Sequence, residues 1–552
     1  MKFILLIINL SLASMFPYEY AFTSSSSEDD NNGLPSNTII DIESLNSVIF
    51  LSSSNGLGFA NESEGNFIFS DFEDDFLPEG GNPSLVINDD IIAVSGSVTV
   101  FHGGAYHPAG TGVSYSIDGG DTWNYMSQPV DNMPSLWSCS NYSYETIFFN
   151  TQAECEASCL DCNGQSASCA RLYDFISWGN QDDIAHLSVT TPINNVSYDL
   201  DIHGNYIYST SWAGGLRRFN YTLLNPVWES IPLPMDNQNE LICGEIDLDS
   251  YQVNPVGDCN SDYDNHKAFS IHSVNDTIWV GTAGGINKGI VSGDCIDWTH
   301  LKSYDYGFYD DWIVGFEYQI LDDSPNRIWA ITWNKETQGS LGPPSFSEDG
   351  GENWEFPSQL VDIGVKAYNI SFNENYIYLS TNQGLFLSSD GQFWEKFDDF
   401  IDYQDSEQIL SNVVYDAEVI ENNLWVGTQD GVAISGNLTS PDWMVFRFWE
   451  KNNSFSAYPN PFLRDTYNFF NDEGHVRFVY SSQNSNSSID VFDFNMDKVV
   501  TLNSPNIIDE QIEFIWNGET EYGNKVDNGV YFCRLNDGGE YRWVKLAVLG
   551  SL

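Results

Sequence analysis

Ile278-Trp279-Val280-Gly281-Thr282-Ala283-Gly284-Gly285-Ile286 reads as a short alternating strand, a glycine turn and the start of a second strand. The phrase returns as Leu424-Trp425-Val426-Gly427-Thr428-Gln429-Asp430-Gly431-Val432, and more loosely as Ile377-Tyr378-Leu379-Ser380-Thr381-Asn382-Gln383-Gly384-Leu385. Repetition at a period of roughly 45–50 residues points to a propeller or solenoid. Ile278, Val280 and Thr282 share one face of the strand, and Trp279 and Gly281 the other. A large ring beside a glycine lets a neighbouring sheet come close and gives the ring a slot to fill.

Seven candidate blades follow outward from this phrase, starting at 48–52, 91–96, 206–210, 278–286, 328–332, 377–385 and 424–432. Continuous helical periodicity is hard to find, so the fold class is all-β: a seven-bladed β-propeller over residues 41–450. The first strand or leader is expected to complete the last blade, because an open ring would leave sheet edges bare.

The gap between the second and third blades holds Cys139, Cys155, Cys159, Cys162 and Cys169, read as a disulfide-stapled insertion over 138–170. Cys243, Cys259 and Cys295 follow at wide spacing, so eight cysteines before residue 300 can pair and Cys533 is left free and buried. The rival is a zinc site on Cys159-x-x-Cys162, which lacks a second matching pair.

A second motif lies later in three blades. It reads Ser116-Ile117-Asp118-Gly119-Gly120-Asp121-Thr122-Trp123, Ser347-Glu348-Asp349-Gly350-Gly351-Glu352-Asn353-Trp354 and, one residue shorter, Ser388-Ser389-Asp390-Gly391-Gln392-Phe393-Trp394. Ser and Asp side chains bond backbone groups, Gly takes positive φ and the Trp packs beneath, which makes a hairpin turn. The motif resembles the Asp-box of sialidase-like propellers. That resemblance implies a structural turn away from any catalytic mouth, on Ser116, Asp118, Gly120, Trp123, Ser347, Asp349, Gly351, Trp354, Ser388, Asp390, Gly391 and Trp394. The Trp-Val-Gly-Thr phrases are similar to the two-component-regulator type of propeller repeat. Together the two resemblances cover roughly residues 48–447.

From Tyr458-Pro459-Asn460-Pro461-Phe462 the repeat stops, and residues 454–552 read as a small sandwich of alternating strands and Asn/Gly/Asp turns. The opening just quoted, Trp516-Asn517-Gly518, Gly523, Val526, Gly529-Val530-Tyr531-Phe532 and Lys545-Leu546-Ala547-Val548-Leu549 resemble the C-terminal sorting domain of type IX secretion cargo and the related Ig-like domain of flagellar hook-capping proteins. The resemblance implies an export address read by outer-membrane secretion machinery. Where the family has a Gly, the turn Asp493-Phe494-Asn495-Met496-Asp497-Lys498 has none, and Asn495 is expected to take the left-handed position.

The start of the chain fits export. Met1-Lys2 precedes an apolar run to Leu12 and a small-x-small site, Ser11-Leu12-Ala13, so residues 1–13 read as a signal peptide. Residues 14–40 read as a leader or linker, and no other segment is apolar enough to span a membrane. The chain has 20 Lys+Arg against 79 Asp+Glu, a formal net charge of −59, which repels nucleic acid and anionic lipid.

Chemistry-bearing candidates are sparse. Asp258-x-Asn260-x-Asp262-x-Asp264 alternates oxygen ligands as calcium loops do, but lacks the sixth-position Gly and distal Glu of an EF-hand. Arg217-Arg218 is the only adjacent arginine pair in the propeller, so the arginine cluster of sialidases is missing. Asp182-Asp183 and Asp310-Asp311 are acid pairs whose adjacency does not establish the cleft geometry of glycoside hydrolysis. His102 and His107 lack a third metal ligand. The reading is an exported, non-enzymatic cell-surface or secreted binding or scaffold propeller, with a protein or glycan ligand and no cofactor apart from the candidate Ca2+. The alternatives are a glycan-active hydrolase and an extracellular sensory or adhesive domain.

Overall fold

In the computed structural model the recurring phrase is each time the second strand of an antiparallel sheet: Thr277–Thr282, Tyr376–Thr381 and Asn423–Thr428. The structure describes residues 33–550 except 64–65, 72–75, 132–135, 140–148, 160–168, 252–263, 322–323, 338, 374–375, 398, 405–406, 449–454, 465–468, 471–472, 482–485 and 509–510. The expected signal peptide, 1–13, and most of the expected leader lie outside these residues. Among the described residues no helix is long and apolar enough to cross a membrane.

Seven sheets succeed one another, each laid down strand by strand outward from its first. The first strands are Ile39–Leu45, Leu85–Asn88, Asp199–His203, Ala268–Val274, Trp312–Gln319, Ala367–Asn373 and Val414–Ile420. Each packs against the next, and the seventh against the first, so the fold is a closed β-propeller. Blade 4 gains an outer strand, Glu240–Leu241, and blade 5 has three strands with a bridge from Phe346 to Glu355 in place of a fourth.

Closure differs from the expected strand exchange. Blade 7 ends on its own strand Met444–Phe446, and blade 1 has four strands of its own, Ile39–Leu45 to Asn66–Asp71. The leader clasps blade 7 by hydrogen bonds instead. Gly431 N–H donates to the Asn37 carbonyl (2.6 Å), and Phe448 N–H to Asn37 Oδ1 (2.7 Å). Aromatic packing completes the seam: Phe67 and Phe69 of blade 1 meet Trp425 edge-on at 4.9 and 6.3 Å. No strand needs to cross because the polar groups of the inner strands are satisfied by side chains from neighbours. Ile42 N–H donates to Asp416 Oδ2 (2.8 Å), Leu85 N–H to Asp41 Oδ2 (3.2 Å) and Ile271 N–H to Asp199 Oδ2 (2.8 Å). Asp41, Ser270, Asn369 and Asp416 each follow a shift in strand register, which turns them toward the next blade.

Ring and glycine do what their alternation implies. A Cβ on Gly281 would lie 2.5 Å from the Ile313 carbonyl of blade 5, and one on Gly427 3.1 Å from the Ile39 carbonyl of blade 1. Trp279 reaches across to Trp354, and Trp329 to Trp394, both edge-on.

The insertion is a three-stranded sheet, Leu136–Cys139, Cys169–Trp178 and Gln181–Leu187, with a helix at Gln152–Ser158 capped by Thr151. Cys155 pairs with Cys169 and Cys243 with Cys295, while Cys159 is also disulfide-bonded. Cys162 and Cys259 lie outside the described residues. Cys533 is free and buried, and burial pushes its thiol up.

The tail forms two sheets around one core. Ser456–Tyr458, Val476–Ser481, Gln511–Trp516 and Asn506–Ile508 face Phe462–Leu463, Glu540–Leu549, Gly529–Asp537, Ser488–Phe492 and Lys498–Leu502. Phe462, Phe478, Trp516, Tyr531 and Leu546 fill the space between. In the 493–498 turn Met496, not Asn495, takes the left-handed position (φ 68°). Asp493 Oδ1 accepts from both Asn495 and Asp497 N–H (2.9 and 2.8 Å), which holds Asn495 within the bonded turn and passes the reversal one residue on.

Candidate functional site

The first strands bring acids to the axis of the ring. Asp41-Ile42-Glu43, Asp199-Leu200-Asp201 and Asp416-Ala417-Glu418 repeat one acid-x-acid pattern, and alternation sends both acids of each pair the same way. Glu317 joins from blade 5 and His272 from blade 4. The inner acid of each pair caps a neighbouring strand, as above; the outer ones face each other. Burial raises Glu43 well above the usual carboxylate range, and Asp41, Glu418 and Glu317 raise it further. Burial also lifts Glu418, with Asp416 and Glu317 adding to it. Burial, opposed by backbone hydrogen bonds, pushes Asp199 and Asp416 up to about 7. The only trio of ligand atoms within 4.8 Å among the described residues is Cys155, Cys159 and Cys169, where the Cys155–Cys169 disulfide takes two sulfurs from zinc. The channel acids are therefore spread around the axis and not gathered on one ion.

A cleft opens beside blade 3, on the side where second and third strands meet. Ile176 and Ala185 of the insertion sheet form one wall, and Ala213, Leu216, Leu233 and Met235 the other. His186 and Asp236 supply its polar edges. Its floor is rigid. Arg217 Nη2 donates to Asp131 Oδ1 (2.6 Å) and Thr190 Oγ1 (3.0 Å), and Asp131 Oδ2 accepts Thr190 N–H (2.9 Å). Burial opposes ionisation of Asp131, but His186 and Arg217 hold it well below the usual range. Apolar walls with a few polar groups are attributes of a side-chain or small-ligand site.

Sequence candidates fall elsewhere. Arg218 is buried, lies 4.0 Å over the Tyr206 ring, and donates to Glu229 (3.1 Å) and the Asp294 carbonyl (2.9 Å). With Arg217 held by Asp131, neither arginine of the pair is presented to an external anion. Asp310 accepts from Asn334 (3.0 Å) and Asp311 from Ser303 N–H (2.7 Å), so that pair holds local loops. Asp182 and Asp183 are both exposed on the Gln181–Leu187 strand, at its turn. The His102 and His107 rings stand 6.5 Å apart on the hairpin of blade 2. Of the calcium-loop residues, Asp258, Asn260 and Asp262 lie outside the described residues. Asp264 is buried, with Oδ1 paired to Lys267 and Oδ2 to Lys335, so both its oxygens already face ammonium groups.

The three Ser-x-Asp-Gly turns share one geometry. Ser116, Ser347 and Ser388 hydroxyls accept Gly120, Gly351 and Gly391 N–H, each at 2.9 Å. Asp118, Asp349 and Asp390 accept Thr122, Asn353 and Phe393 N–H at 2.8, 2.9 and 2.9 Å. Trp123, Trp354 and Trp394 donate back to Gly120, Gly351 and Gly391 carbonyls. The Ser hydroxyls, the Asp carboxylates and the Trp indoles are thus engaged within the turns. The turns join third and fourth strands, the opposite end of the blades from the cleft.

The acid-x-acid pattern of the first strands is present in the sequence, as alternate and not adjacent acids. Asp131 and His186 carry no motif; only the fold brings them to Arg217.

No family model matches the chain, and no curated protein does. Among solved structures it is similar to YCF48 from Cyanidioschyzon merolae (11% identity, 75% of this chain and 98% of that one, TM-score 0.37). It is also similar to BamB from Moraxella catarrhalis (11%, 75% and 99%, 0.34) and to PorZ of Porphyromonas gingivalis, a surface component of the type-IX secretion system (10%, 94% and 100%, 0.22). These scores are low, and the propeller assignment rests on the cyclic order of the sheets.

Proposed function

We propose that the chain is an exported propeller that binds a ligand at the cell surface, carried there by its C-terminal sandwich. The observation that carries the binding half is the cleft beside blade 3. It is largely apolar and is lined on one side by Ile176, Ala185 and His186 of the disulfide-tied insertion sheet. Such a site recognises shape and apolar surface, with His186 and Asp236 fixing orientation. Among the described residues the cleft is mainly apolar, and binding is the reading it supports. The export half rests on the sandwich and its quoted residues. Phe462, Trp516, Val526 and Tyr531 are core, and Gly518 and Gly523 are left-handed turns (φ 76° and 75°).

The test is a glycan and peptide array probed with the full chain and with Ala213→Trp, which fills the cleft from its rim. Ligands bound by the first and lost by the second support the reading. Ligands bound equally by both place recognition elsewhere and refute it.

A further inference from the structure

The four-stranded sheet of the sandwich turns one face to blade 7, and the contact is ionic and dry. Arg477, on strand Val476–Ser481, is 1% exposed. Its Nη2 donates to Asp430 Oδ2 and to the Gln408 carbonyl, both at 2.7 Å, and its Nη1 to Glu513 Oε1 at 2.7 Å. Glu513 Oε2 accepts from Arg447 Nη1 (2.8 Å), and Arg447 reaches Glu407 through Nε (2.8 Å) and Nη2 (2.7 Å). Asp430 is fully buried; its Oδ1 accepts the Tyr458 hydroxyl and its Oδ2 also accepts Leu410 N–H (2.7 Å). Burial opposes ionisation of Glu513, yet Arg447 and Arg477 hold it below its ordinary range.

Asp430, Glu407, the Gln408 carbonyl and Arg447 belong to the propeller; Arg477, Glu513 and Tyr458 belong to the sandwich. Asp430 stands just before the glycine of the recurring phrase, where blades 3, 4 and 6 carry Gly214, Gly284 and Gln383. The turn itself does not require an acid, so the carboxylate of blade 7 is an addition. Beside the Gln408 carbonyl it accepts from one terminal nitrogen of the guanidinium, Nη2, while Glu513 accepts from the other, a planar span that a compact ammonium cannot match.

We propose that the blade-7 recess of Asp430, the Gln408 carbonyl and the Arg447–Glu407 pair is a guanidinium-binding site of the propeller. In the intact chain Arg477 fills it, so the sandwich is a plug held in cis over that sector. Lifting the sandwich leaves a buried carboxylate without its cation and opens the recess to an arginine side chain of a peptide. This does not rest on the export reading, since Asp430, Gln408, Arg447 and Glu407 all belong to the propeller.

The test uses the full chain with Arg477→Ala and Arg477→Lys. Hydrogen exchange at Leu410, whose amide bonds Asp430, reads the recess directly. A guanidinium site predicts exchange at least about tenfold faster in both variants, because truncating one partner of a buried pair strands the other. In Arg477→Ala, millimolar methylguanidinium restores protection and methylammonium does not. The rescue is lost when Asp430→Asn is added, and an arginine-containing peptide binds Arg477→Ala but not the unaltered chain. Unchanged exchange in Arg477→Lys overturns the proposal, because a plain positive charge would then suffice. So does rescue by methylammonium, or rescue that survives Asp430→Asn. Should Arg477→Ala fail to fold, Arg477→Lys decides the matter by the same exchange measurement.

Discussion

Gly120 and Gly351 make a matched pair for testing how the blades hold together. Both have φ 96°, both accept a Trp indole through their carbonyl, and both occupy the same place in their turn. They differ in what a side chain would meet. A Cβ on Gly351 would stand 2.8 Å from Cη2 of Trp279 in blade 4, whereas a Cβ on Gly120 would find its nearest neighbour, Ile92 Cδ1, at 3.6 Å. Alanine at either site carries the left-handed penalty of about 1–2 kcal/mol. Only Gly351→Ala adds an overpacking cost of about 1–3 kcal/mol, since Trp279 is buried against Phe316 and Trp354 and has nowhere to withdraw. The expected losses are about 1–2 kcal/mol for Gly120→Ala and about 2–5 kcal/mol for Gly351→Ala. Urea unfolding of the two variants measures the difference, and Trp279→Phe should recover part of the Gly351→Ala loss by making room. Equal losses, or no recovery, would refute the claim that the turn of one blade rests on the ring of the blade before.

Stability should fall as pH rises from about 4 to about 7. Asp199 and Asp416 titrate near 7 when folded and near 3.8 when unfolded, so the folded chain holds more protons across that window, and thermal melts at pH 5 and 8 check it. Alkylation before and after denaturation, read by mass spectrometry, should show Cys533 unreactive until the sandwich unfolds, with Cys155–Cys169 and Cys243–Cys295 recovered as linked peptides. A fluorogenic sialoside should not be turned over, because Arg217 is committed to Asp131 and Arg218 to Glu229; turnover abolished by Arg217→Ala would contradict this.

The blades were legible in the sequence because a strand-turn-strand phrase repeats with its glycine fixed by the neighbouring backbone, as at Gly281 and Gly427. The tail was legible because Trp516, Gly518 and Tyr531 are core and turn residues with few substitutes. Ring closure was not, because it depends on Asn37 and on Asp416 reaching another blade 374 residues away in sequence. The cleft was equally hidden, since Asp131, His186 and Arg217 meet only once the insertion folds back on blade 3. The contact of the tail with the propeller was hidden as well. Each domain has a core of its own, yet Arg477–Asp430 and Arg447–Glu513 cross between them, so removing the tail strands charges on the propeller.

For that reason the tail is best tested away from the propeller. Residues 454–552, fused behind a signal peptide to an unrelated reporter, should bring the reporter to the surface of a host with a type IX system, where added protease and surface labelling reach it in intact cells. A reporter that stays in the periplasm, protected until the outer membrane is broken, would contradict the account.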